Sequence, residues 1–120
     1  MHQLSIRPAK FEPGKCYAAA FATLLAEARA AESRKQETNW RLVHRTLKDS
    51  AGKNYGHAWL EWDDTVYDPI QAEYFPKPVY YTGVTGHVVY DVQDAVRHYA
   101  SQGHEGAWHA RVKASYHLGD

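Results

Sequence analysis

The chain has 120 residues, enough for one hydrophobic core and too few for two, so residues 1–120 are read as a single domain. Lys plus Arg equals Asp plus Glu at 14 each, and no charge excess points to nucleic acid or to an anionic membrane surface. A single cysteine excludes an internal disulfide and a multi-cysteine zinc site, and it suits a reducing compartment.

The opening "MHQLSIRPAKFEPGK" lacks the apolar run of a signal peptide, and no stretch is apolar for long enough to span a bilayer. A cytoplasmic protein with no membrane partner is expected. Residues 1–13 read as extended or irregular, with Pro8 and Pro13 against a helix. From Cys16 the periodicity turns helical. Tyr17, Phe21, Leu24, Leu25 and Ala28 recur at three and four, beside a stripe of small residues formed by Cys16, Ala19, Ala20 and Thr23. Such a stripe lets a helix approach a sheet closely. The helix is expected to run on through "EARAAESRKQE", with "SRKQE" as a solvated face, and to stop before Asn39.

"WRLVHRTL" (40–47) reads as a first strand, "KDSAGKN" as a loop, "YGHAWLEW" as a second strand and "TVYDPI" as a third. "QAEYFPKP" reads as a loop, because Pro76 and Pro78 bar a central strand. "VYYTGVTGHVVY" holds one or two short strands interrupted by Gly83 and Gly86. Asp91 is placed as the N-cap of a helix over "VQDAVRHYASQ", with Gly103 beyond its end and Val92, Ala95, Val96 and Tyr99 as its apolar face. "HEGAWHARVKASYHL" is given one further strand. The fold class is α+β: an N-terminal helix packed on a small, mainly antiparallel sheet, with a second helix near the C-terminus. Most of the nine tyrosines and four tryptophans are assigned to the core.

A nucleophilic thiol needs a base or a positive field. Cys16 sits in the first turn of a helix, where backbone dipoles point their positive end, and Lys15 adds a cation. Its partners emerge from the hairpin. If Asp63-Asp64 is a two-residue turn, Trp62 pairs with Thr65 and paired numbers sum to 127 throughout. Trp59 then faces Asp68 and His57 faces Ile70. His57 and Asp68 share a face one diagonal step apart, roughly 7–8 Å at the backbone, within reach of an imidazole and a carboxylate. A bulge or a three-residue loop would move Asp68 to the other face. Singly, His57 reads equally well as a satisfied strand histidine and Asp68 as a turn residue before Pro69. Together with Cys16 they make a Cys-His-Asp set.

Cysteine at the start of a helix, then "GHAWLEW", then "VYDP", resembles the transglutaminase-like branch of the papain-like cysteine protease superfamily. The resemblance covers roughly Gly14 to Pro69 and rests mainly on the HAWLE and YDP segments. It implies a helix on an antiparallel sheet, Cys16 as nucleophile, His57 as general base and then acid, and Asp68 orienting His57. It also implies acyl chemistry at amide bonds, by hydrolysis or transfer. Papain-type peptidases place an oxyanion-hole Gln shortly before the cysteine; here Lys10 and Phe11 occupy that region and the nearest upstream Gln is Gln3. The Cys16 N–H with Trp59, Tyr17 or Gln3 is therefore the candidate oxyanion or substrate contact set.

Rival constellations are weaker. His98, His104 and His109 are spaced by six and five with Gly103 and Gly106 between them, which does not suit a zinc pair on one helix. His44 and His104 compete with His57 as the base, and His87 reads as structural. Glu61, on the predicted face of His57, reads as a charged strand residue at a rim. "TGVTG" lacks the Lys and following helix of a phosphate loop. The expected function is a cysteine-dependent hydrolase or acyltransferase acting on a peptide or protein substrate, with no cofactor and no metal. The alternatives are a catalytically inactive binding or regulatory module with the same fold and, lower still, a zinc hydrolase built on the late histidines.

Overall fold

A computed structural model describes residues 1–48, 50–52, 54–82 and 86–108. The chain order is α1 (Cys16–Ser33), β1 (Arg41–Lys48), β2 (Asn54–Trp62), β3 (Thr65–Asp68), β4 (Glu73–Pro76), α2 (Lys77–Tyr80), β5 (Val88–Tyr90) and α3 (Val92–Gln102). The five strands form one sheet in the order β4-β3-β2-β1-β5 with every pair antiparallel. The α+β arrangement read from the sequence is the one found. Among the described residues no helix is long and apolar enough to cross a membrane.

The small-residue stripe does what its composition suggests. Cys16, Ala19, Ala20 and Thr23 are all buried, and α1 lies on β2 and β1. Alternation along the strands sends side chains to two faces. Leu42, Ala58, Leu60, Tyr67 and Tyr90 join Leu4, Cys16, Tyr17, Ala20, Phe21, Leu24, Trp40 and Ala95 in the main core, under α1 and α3. The opposite face carries a smaller cluster of Val43, Trp59 and Val66, covered by Phe75, Tyr80 and Tyr81. "GHAWLEW" is buried or half-buried on both faces, and the second face includes His57 and Glu61 beside Trp59.

Several boundaries differ from expectation. α1 ends at Ser33, and Lys35 turns the chain with φ 56°, so "SRKQE" leaves the helix instead of forming its solvated face. "QAEYFPKP" is not a plain loop. Glu73–Pro76 adds an edge strand, where a proline costs no ladder bond, and Pro76 and Pro78 then start the single turn of α2. "VYYTGVTGHVVY" is split between α2 and β5, and 83–85 lie outside the described residues. α3 is capped as expected: the Asp94 N–H donates to Asp91 Oδ1 at 2.8 Å and Gly103 closes the helix at φ 75°. Its apolar face is only partly covered, with Ala95 buried but Val96 and Tyr99 exposed. The strand expected in "HEGAWHARVKASYHL" lies mostly outside the described residues; 103–108 contain none.

The N-terminal segment is tied down by Glu27. This buried carboxylate on α1 accepts the Ser5 and Ile6 N–H groups and the Ser5 hydroxyl at 2.8–3.2 Å. The His2 and Leu4 N–H groups donate to Thr65 Oγ1 and Tyr74 Oη, both at 3.0 Å.

Candidate active site

The hairpin forms with the two-residue turn, and Asp63 takes a left-handed conformation at φ 59°. Pairs Trp62–Thr65, Glu61–Val66 and Leu60–Tyr67 each sum to 127. The ladder stops there instead of running on to Trp59–Asp68 and His57–Ile70. Pro69 offers no N–H, and residues 69–72 turn away. The diagonal survives this early stop, and His57 Nε2 lies 3.2 Å from Asp68 Oδ2.

Asp68 plays two parts with its two oxygens. Oδ1 accepts the N–H groups of Ile70 (2.9 Å) and Gln71 (3.1 Å), which is how an Asp before a proline stabilises a turn. Oδ2 accepts Gln71 Nε2 at 3.0 Å, Tyr80 Oη at 2.7 Å and the imidazole. The turn residue and the histidine partner are thus one side chain. Asp68 is fully buried. Burial pushes its pKa up, but hydrogen bonds from His57, Tyr80 and the Gln71 backbone outweigh this and hold it well below the usual carboxylate range. It is ionised at neutral pH.

Tyr80 is the residue that sequence reasoning missed. Its hydroxyl lies 2.8 Å from His57 Nε2 as well as 2.7 Å from Asp68. The ionised carboxylate only accepts, so Tyr80 donates to it and presents its oxygen to the imidazole. Nε2 is therefore the nitrogen that carries hydrogen, an assignment made from the bonding pattern. Nδ1 keeps its lone pair, and the His57 side chain is 16% exposed. The available sequence signal was the proline pair that starts a helical turn at Lys77, too short to show any periodicity.

Trp59 underlies this group. It is fully buried, with ring centroids 5.7 Å from His57, 5.1 Å from Tyr80 and 5.5 Å from Tyr81. Its ring packs beneath His57. Glu61 is buried too, not at a rim. It accepts a short hydrogen bond from Tyr81 and pairs with Lys77 Nζ at 3.5 Å. Gln3 is exposed between two backbone anchors at Thr65 and Tyr74, toward the turn end of the hairpin.

Cys16 is the first residue of α1, and Lys15 precedes it without a side-chain cap. It is 1% exposed and belongs to the main core. That core lies on the Ala58 and Leu60 face of β2, whereas His57 and Asp68 stand on the Trp59 face. The start of α1 nevertheless lies over the strand next to His57. A Cβ on Gly56 would fall 2.0 Å from Tyr17 Oη, so Tyr17 occupies the space that only glycine leaves. β2 pairs with β3 over residues 60–62, and 56–58 lie beyond that ladder. The structure thus brings His57 and Asp68 into contact and seats Cys16 in the core on the other face of β2.

The rival histidines have other settings. His44 pairs with Ala58 in β1 and faces the α1 side. It is fully buried, ringed by Tyr17, Tyr90 and Trp108, and neither ring nitrogen has a hydrogen-bond partner among the described residues. Burial, aided by His98, lowers its pKa to about 3. His98 stacks on Trp108 at 5.2 Å, and exposed His104 accepts the Gly106 N–H at 3.1 Å. His109 lies outside the described residues. Among the described residues, metal-ligating atoms converge only at His2, Asp63 and Asp64, within 4.8 Å of one another beside the hairpin turn. Clefts bordered by Arg41, Glu61 and Lys77, and by Glu32, Trp40 and Asp91, do not include His57. Comparison of the chain with protein-family models, with curated proteins and with solved structures gives no match.

Proposed function

We propose that this protein is a cysteine-dependent hydrolase or acyltransferase of the transglutaminase-like, papain-like type, acting on peptide or isopeptide bonds. One observation carries the reading: a partly exposed imidazole whose Nε2 is committed to a fully buried, ionised carboxylate. Such a pair fixes the tautomer, leaves Nδ1 as a base and stabilises the imidazolium that forms when it takes a proton. Cys16, the one thiol of the chain and the first residue of α1, is taken as the nucleophile that would use this base.

In the proposed cycle His57 Nδ1 takes the Cys16 proton. The thiolate attacks the amide carbonyl carbon, a C–S bond forms, and the C–N bond breaks as His57 returns the proton to the departing amine. Water, or an amine in the transfer reaction, then gives its proton to Nδ1 and attacks the thioester, and Cys16 leaves as the thiol. No cofactor enters the scheme. The substrate is a peptide or protein, and a single thiol suits a reducing, cytoplasmic setting.

Iodoacetamide labelling across pH tests the reading. Cys16 should label well below the ordinary thiol pKa of about 8.5, and His57→Ala should suppress that labelling. Because Cys16 is buried, the assay asks at once whether the sulfur is reached and whether it is activated. Slow labelling that follows an ordinary thiol titration and ignores His57→Ala would leave a non-catalytic module with this fold.

A further inference from the structure

We infer that Tyr80 is a positioning residue that sets the basicity of His57, by standing between its imidazole and the Asp68 carboxylate. The inference rests on the proposed role of His57 as the base. Asp68 Oδ2 has three donors, and the shortest bond is Tyr80's at 2.7 Å while the longest is His57's at 3.2 Å. A charge-assisted N–H···O bond made without competition closes to about 2.7–2.9 Å. Tyr80 thus has the first claim on the carboxylate charge. In exchange it offers Nε2 a neutral acceptor at 2.8 Å. The imidazole remains oriented by two acceptors but has only part of the ion pair that Asp68 alone would supply.

The rest of this face is arranged to the same end. Arg45 is buried and lies directly across from His57 on β1. Glu61 along β2 is bonded to Lys77 and Tyr81. Those two residues frame the turn that delivers Tyr80. The Lys77 N–H also donates to the Asp64 carbonyl at 2.7 Å, and the Tyr80 ring packs on Trp59 and Phe75 at 5.1 and 5.2 Å. A helix of one turn has no stability of its own. Its docking to Glu61 and Asp64 makes Tyr80 a fixed part of the site. Among the described residues, Asp68, Tyr80, Tyr81, Lys77, Glu61 and Arg45 stand on this face, with Arg41 opposite Glu61 and His87 against the Tyr81 ring farther out.

The test is the NMR titration of the His57 ring in the intact chain, with Cys16 present and in Cys16→Ser. Tyr80→Phe keeps the ring packing and removes the hydroxyl. His57 should then close on Asp68, and its midpoint should rise by about one pH unit, the scale of one hydrogen bond to a charged group. 3-Fluorotyrosine at position 80, a stronger donor and weaker acceptor, should move the midpoint down. An unchanged midpoint in both variants, or shifts of the same sign, would show a packing role and overturn the inference. The two readings fail separately. A midpoint that shifts as expected in the Cys16→Ser chain, beside Cys16 labelling that ignores His57, would retain Tyr80's role and refute Cys16 as the nucleophile.

Discussion

Acidification should unfold this protein through His44. The ring is fully buried against Tyr17, Tyr90 and Trp108, Gly106 leaves no room for a Cβ beside it, and coulombic coupling to His98 also opposes its protonation. Its pKa falls from 6.5 to about 3 on folding. Between those values the unfolded chain binds a proton that the folded one refuses, so stability falls as pH drops below 6.5 and is flat in this residue's contribution above it. The slope for one group is about 1.4 kcal/mol per pH unit, which gives a loss of about 2.7 kcal/mol at pH 4.5. That is a large share of a typical small domain's stability, about 5–15 kcal/mol. Asp68, with its depressed pKa, contributes stability that is lost as pH falls from about the ordinary Asp value of 3.8 downward, so nearly all of it is kept above pH 4.5. Urea unfolding at steps from pH 7.5 to 4.5 reads the slope, and His44→Leu removes the titrating group while keeping an apolar side chain. Wild type should lose about 2–3 kcal/mol more than His44→Leu over this range. At pH 7 the variant should be at least as stable, because neither ring nitrogen has a hydrogen-bond partner to lose among the described residues. Parallel pH profiles for the two proteins would refute the reasoning.

Two further outcomes follow from the same contacts. Gly56→Ala drives a methyl into Tyr17 Oη and should cost about 1–3 kcal/mol of unfolding free energy; adding Tyr17→Phe should recover part of that loss, and thermal melts of the single and double variants would measure it. Asp68→Asn turns one oxygen that meets three donors into an amide donor or leaves it neutral, so it should lower stability by about 3–5 kcal/mol and reduce Cys16 labelling together with it, whereas a folded variant of unchanged stability would contradict the bonding assigned to Asp68.

How much could be read from the chain depended on the range of the interaction. The His57–Asp68 contact spans eleven residues across one two-residue turn, and the turn's register determines which face each side chain takes. The cap of α3 at Asp91 and the small stripe of α1 are likewise local patterns with direct physical meaning. The ladder's early end at Leu60–Tyr67 was less visible, because it comes from Asp68 turning the chain with its own oxygen.

The sequence by itself determined the α+β order, the hairpin and the pairing of His57 with Asp68. Only the tertiary structure decided which layer covers which face of β2. "GHAWLEW" is covered on both sides, and its alternation alone does not say that α1 takes the Ala58 face and α2 the Trp59 face. The burial of His44 and Glu61 and the delivery of Tyr80 into the site depend on elements far apart along the chain. Docking such elements is a choice of packing and charge satisfaction in three dimensions, which no local periodicity encodes.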